Sequence, residues 1–142
     1  MMEMFGEMTK QTLVIFDLDG TLIHEDGGLE DFSVLSRLKN ENCVLAIASR
    51  NDYFHAIEVL SKYDMIDYFE YIMADFRPKV YQVREIMNFA RRDGIDFSDV
   101  VFIDDYLPNI QRIKFEEPLV IAYHFGDEIC SLEELHELLN KA

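Results

Sequence analysis

A three-layer α/β/α sandwich built on a mainly parallel sheet is the fold class this sequence predicts. Three observations lead there: five short apolar runs of strand length, helical patterns filling the intervals between them, and residues that start or stop helices at the borders. The runs are Thr12–Phe16, Cys43–Ala48, Tyr71–Ala74, Val100–Ile103 and Leu119–Ala122. Each is mostly continuous rather than alternating and rich in Val, Ile or Phe, which suits strands buried on both faces of a parallel sheet.

The helical intervals follow in order. Leu29, Phe32, Leu35 and Leu38 repeat every third position, and Tyr53–Tyr63 places Ile57 and Leu60 on one face. Val80, Val83, Met87 and Ala90 form another stripe, which stops at Arg91, Arg92 and Gly94. Pro108 is suited to open a helix running through Ile110 and Ile113. Ser131 and Glu134 have the spacing of a capping box at the start of a last helix. No repeat, linker or low-complexity stretch interrupts the pattern, so residues 1–142 are expected to form a single domain.

Charge limits the partners. The chain has 28 acids against 13 bases, a formal net charge of −15, and its acids are split evenly between its halves. That balance disfavours nucleic acid and anionic membrane, both polyanions. A phosphorylated substrate would need a bound cation or a local basic group to approach. Cys43 and Cys130 lie far apart with no CxxC, which argues against metal–thiolate sites and disulfides, and Cys43 is expected in the core. No apolar stretch has the roughly 20 residues needed to span a bilayer, and Met1–Lys10 lacks a hydrophobic signal core. A cytoplasmic protein is expected.

In open α/β sheets, ligands bind beyond the carboxyl ends of the strands. After the first run come Asp17, Asp19 and Thr21, and after the second Ser49 and Arg50. Arg77 and Lys79 follow the third, Asp104 and Asp105 the fourth. Taken singly, such residues are ordinary turn formers, helix caps or solvated charges. Together, four carboxylates at one edge repel unless a cation joins them. Oxygen ligands without His or Cys point to Mg²⁺. A cation, a lysine and a hydroxyl make a cradle for a phosphoryl group, beside which one carboxylate could act as nucleophile and another exchange protons.

These residues resemble the four motifs of the haloacid dehalogenase superfamily. Leu-Val-Ile-Phe-Asp17-Leu-Asp19-Gly-Thr21 is similar to its first motif and Ala-Ile-Ala-Ser49-Arg-Asn to its second. Pro78-Lys79 is similar to the third and Val-Val-Phe-Ile-Asp104-Asp105-Tyr-Leu-Pro-Asn109 to the fourth. Spacings of 30, 30 and 25 positions separate Asp19, Ser49, Lys79 and Asp104, and the wording is nearest the magnesium-dependent phosphatase-one group.

The resemblance implies a Rossmann-like sheet and a Mg²⁺-dependent phosphatase. Asp17 would attack phosphorus and ligate the metal. Asp19 would serve as acid and base, ligating Mg²⁺ through its backbone carbonyl. Ser49 and Lys79 would hold the phosphoryl oxygens, with Arg50 as a second positive group. Asp104 would complete the metal ligands, and Asp105 would act through a water or by orienting Lys79. Gly20 would permit a sharp turn that Thr21 fixes. The Pro-Lys wording selects Lys79 over Arg77.

The intervals are too short for the cap domain of larger relatives, so an open site is expected. Cap-poor relatives act on macromolecular phosphates or borrow a neighbouring subunit as a lid. The resemblance therefore allows a small phosphorylated metabolite or a phosphoprotein as substrate, and a homo-oligomer as the working form. His24, Glu25, Arg50, Asn51, Tyr106 and His124 are candidate specificity residues. Phosphoryl transfer to an alcohol by the same residues is an alternative, as is a phosphorylatable or inactive binding domain. A receiver-like signalling domain fails on motif order, because its acid pair would follow the first strand.

Overall fold

The computed structural model describes residues 10–24 and 26–141. Glu25 and the first nine residues, to which the reading of the N-terminus belongs, lie outside them. The strands are β1 (Gln11–Phe16), β2 (Cys43–Ser49), β3 (Tyr71–Ala74), β4 (Phe97–Asp104) and β5 (Ile121–His124). The helices are α1 (Ser33–Asn40), α2 (Tyr53–Lys62), α3 (Lys79–Arg92), α4 (Leu107–Glu116) and α5 (Leu132–Asn140). All strand pairs are parallel, in the order β3-β2-β1-β4-β5.

The period of two within each strand sorts the core into two layers. Val14 and Phe16 of β1 pack with Leu45, Ile47, Val101 and Ile103 against α1, α2 and α5. Leu13 and Ile15 pack with Ala46, Ala48, Val100 and Phe102 against α3 and α4. Burial on both faces is why the runs read as continuous. Among the described residues, each strand-to-strand connection carries one helix, the second with an added 3-10 turn at Ile66–Tyr68, and none holds a cap domain.

Several borders differ from the sequence expectation. β4 begins at Phe97 because its polar start pairs with Gln11 and Thr12 of β1, through an irregularity in the register, rather than burying side chains. β5 begins at Ile121: Pro118 and a turn closed by the Val120 N–H on the Glu117 carbonyl leave Leu119 93% exposed. Leu29 lies outside α1 and bridges Ile23 instead, while the helix buries Val34, Leu35 and Leu38. The stop of α3 matches its expectation. Gly94, at φ +80, donates to the Arg91 carbonyl and Ile95 to that of Ala90, the paired bonds of a Schellman motif. Ser131 caps α5 by accepting from the Glu134 N–H at 3.1 Å.

Candidate active site

Strand order reverses between β1 and β4, so the chain leaves a crevice at their carboxyl ends. Asp17 follows β1 directly, its N–H bonded to the Ile103 carbonyl at 2.8 Å, and Asp104 ends β4. Both are buried, at 7% and 1% exposure. Lys79, at the start of α3 and 3% exposed, lies between them, its Nζ 2.6 Å from Asp17 Oδ1 and 2.9 Å from Asp104 Oδ2. The Phe102 ring lies 5.8 Å from the ammonium.

Two acids share this one base. Burial pushes the Asp17 carboxyl up; Lys79 opposes the shift and the Asp104 charge adds to it, leaving it at about 8. Burial works to lower Lys79, but the charges of Asp17 and Asp104 prevail and hold it above its ordinary value. Lys79 is ion-paired with both acids, and burial holds the Asp17 carboxyl above its ordinary value.

The remaining lone pairs are met locally. Thr21, fully buried, donates from Oγ1 to Asp17 Oδ2 at 3.1 Å, a bond beyond the turn-fixing role expected of it. Asp104 accepts from the Tyr106 N–H at 2.9 Å and from Asn109 Nδ2 at 2.9 Å. Asp19 points elsewhere: its half-exposed carboxylate meets Asn51 Nδ2 at 3.3 Å and His55 Nε2 at 3.8 Å. His55, one turn beyond Asn51 on α2, was not legible in the motifs.

Carboxylate oxygens of Asp17, Asp104 and Asp105 lie within 4.8 Å of one another, whereas the Asp19 carboxylate stands apart from that cluster. A hard cation fits such a set: three oxygen donors, a surplus of negative charge, and neither His nor Cys. Among the described residues, Lys79 is held directly by Asp17 and Asp104.

A cavity of about 320 Å³ opens over these groups and is also lined by Ser49, Arg50, Phe76 and Tyr106. Arg50 donates to the Phe76 carbonyl at 3.2 Å. Arg77 instead turns to Asp75, at 2.7 Å, and Glu85, at 3.0 Å. His24 is bound to Glu30 at 2.7 Å and stacks on Phe125. His124 contacts the Asp105 carbonyl at 3.0 Å. A larger cavity of about 420 Å³, near Met87, Phe97 and Leu119, draws none of its walls from the strand ends that carry the acids.

Gly20 has φ +89, and a Cβ there would overlap the Asp105 carboxylate. Gly20→Ala therefore combines backbone strain of about 1–3 kcal/mol with displacement of Asp105. We expect weaker Mg²⁺ binding by titration calorimetry together with a lower melting temperature. Unchanged Mg²⁺ affinity in the folded variant would remove Asp105 from the cation site.

Residues 14–98 match the family model described as haloacid dehalogenase-like hydrolase. No curated protein shows significant sequence similarity to the chain. Several solved structures share the fold. A hydrolase from Streptococcus pneumoniae superposes with TM-score 0.68 at 15% identity, over 93% of this chain and 100% of that one. The 3-deoxy-D-manno-octulosonate 8-phosphate phosphatase of Moraxella catarrhalis, in complex with magnesium, phosphate and KDO, gives 0.59 at 17% identity over 99% and 92%. The N-terminal part of a Bacteroides fragilis protein, containing a phosphatase domain complexed with Mg, gives 0.64 at 20% identity. There the alignment covers 89% of this chain and 39% of that one.

Proposed function

Because the chain belongs to the haloacid dehalogenase-like hydrolase family, we propose that it is a Mg²⁺-dependent phosphatase, cleaving a phosphate monoester through an aspartyl-phosphate on Asp17. The observation that carries this reading is the convergence of Asp17, Asp104 and Lys79, all buried, beside Ser49 at the reversal of strand order. Asp17 and Asp104 would hold Mg²⁺, with the Asp19 backbone carbonyl and Asp105 completing the protein's share. The magnesium complexes of two structural neighbours support the choice of ion. When bound, Mg²⁺ neutralises the carboxylates and the incoming phosphate.

In the first step an Asp17 carboxylate oxygen bonds to phosphorus while the bond to the ester oxygen breaks. Asp19 delivers a proton to that leaving oxygen. In the second step Asp19 takes a proton from water as the water oxygen attacks phosphorus, freeing Asp17 and inorganic phosphate. The half-exposed position of Asp19, beside Asn51 and His55, suits a group that must exchange protons with solvent. The Ser49 hydroxyl and the Lys79 ammonium receive the phosphoryl oxygens, and Arg50 reinforces them at the rim. These groups come from both halves of the chain, which would act as one catalytic unit. The open site suits a small phosphorylated metabolite or a phosphoprotein.

The test is hydrolysis of a generic aryl phosphate with Mg²⁺. Activity should vanish with EDTA, be blocked by Ca²⁺ and survive exchange for Mn²⁺ or Co²⁺. Full turnover in chelator would exclude the metal.

A further inference from the structure

Gln82 is fully buried on α3, three residues after Lys79, and the chemistry above does not use it. Residues three apart share a helix face, so the start of α3 sends two polar side chains inward. Gln82 Nε2 donates to the Ser49 carbonyl at 2.8 Å, to Asp75 Oδ1 at 2.9 Å and to the Asp75 carbonyl at 3.2 Å. Two amide hydrogens thus serve three acceptors. The Ser49 carbonyl also accepts the Asp75 N–H at 3.1 Å, beyond the last paired residues of β2 and β3. Asp75 is fixed in turn by Arg77, whose N–H reaches the same Oδ1 at 3.0 Å.

The opposite atom of the amide shows what this arrangement sacrifices. Gln82 Oε1 is buried and without a hydrogen-bond partner among the described residues. A stranded buried acceptor is destabilising, and an apolar side chain of equal volume would fill the space without it. The value of Gln82 therefore lies in its donors, which tie the Ser49 end of β2 to the helix start that carries Lys79. Ser49 and Lys79 come from separate elements, yet a phosphoryl group requires their spacing to be fixed within a fraction of an ångström.

We propose that Gln82 is a positioning residue that sets the separation of Ser49 and Lys79 for phosphate recognition. The assignment rests on the phosphatase reading.

Gln82→Met keeps the volume and removes the donors. With saturating Mg²⁺, inhibition by inorganic phosphate should weaken about tenfold, the worth of one to two hydrogen bonds, while the Mg²⁺ dissociation constant stays within about twofold. Gln82→Glu is nearly isosteric but aims a carboxylate at three acceptors, so at pH 8 it should bind phosphate more weakly than Gln82→Met. A mere filler would leave Gln82→Met at the wild-type phosphate affinity. Should Gln82→Glu fail to fold, Asp75→Ala, which removes one of the three acceptors, should give a smaller loss than Gln82→Met. Unchanged phosphate inhibition, or equal weakening of phosphate and Mg²⁺, would overturn the proposal. If the wild-type chain binds no phosphate, the phosphatase reading falls instead. The clamp is then decided by NMR: slow exchange of the Gln82 side-chain amide, and joint shifts of the Ser49, Asp75 and Lys79 backbone signals in Gln82→Met, uphold it. Rapid exchange without those shifts refutes it.

Discussion

Lys79→Met is expected to lower the melting temperature of the metal-free protein at pH 8 by about 10 °C or more. Methionine fills nearly the same volume, so the effect isolates the charge. Without the ammonium, the buried pair of Asp17 and Asp104, at 7% and 1% exposure, loses the counter-charge that bonds both of them. Removing one partner of a buried ion pair typically costs about 3–5 kcal/mol, and each kcal/mol moves the melting point of a domain this size by about 3 °C. The remaining bonds from Thr21, Tyr106 and Asn109 satisfy lone pairs but carry no positive charge.

The loss should shrink as pH falls, because protonation of the buried pair removes the need for a counter-charge. Mg²⁺ should restore part of it at pH 8 by supplying the missing charge. Turnover should stay low even with the metal, since removing one donor to developing charge costs about 10²–10³-fold. Thermal melts at pH 5 and 8, with and without Mg²⁺, check this. A shift below about 2 °C at pH 8, well under the 3–5 kcal/mol expectation, would show that Lys79 does not neutralise the acid pair.

Asp17, Ser49, Lys79 and Asp104 were legible because each follows an apolar run closely enough to inherit its place at the sheet's carboxyl edge. A strand's side chains are sorted by its neighbours, but its end is marked by the chain itself. What stayed hidden depended on partners. The polar start of β4 is strand because β1 pairs with it, and no apolar pattern records that. Leu119 has strand chemistry yet sits in solvent, because Pro118 and the turn behind it delay β5. Gln82 reads as a polar helix residue until the helix face it occupies is known. His55 came into view only through Asp19, and the bond from Thr21 to Asp17 only through the fold.

Asp17→Asn is expected to abolish turnover while the fold persists, and even gains, in the absence of metal. An amide cannot attack phosphorus as a carboxylate does, so the proposed aspartyl-phosphate would not form and the proposed first step would be lost. The shape is nearly conserved. Asn Oδ1 can accept from Lys79 and Nδ2 can donate to the Thr21 hydroxyl, which leaves Lys79 and Asp104 as a neutral pair. The sign of the pH effect follows from Asp17, whose folded value of about 8 stands above the ordinary 3.8. Between those values the wild-type native state binds the proton that the unfolded chain has lost, so this group's contribution to stability declines as pH rises. The variant lacks the group and the decline. Its advantage in melting temperature over the metal-free wild type should grow from pH 4 to 8, by at most about 1.4 kcal/mol per pH unit, and level off above. Adding Mg²⁺ should reverse the order, because the wild type gains a carboxylate ligand that the variant has given up. Activity near wild type would mean that Asp17 is not the nucleophile. A melting difference independent of pH would mean that its burial, clear in the geometry, does not set where its proton goes.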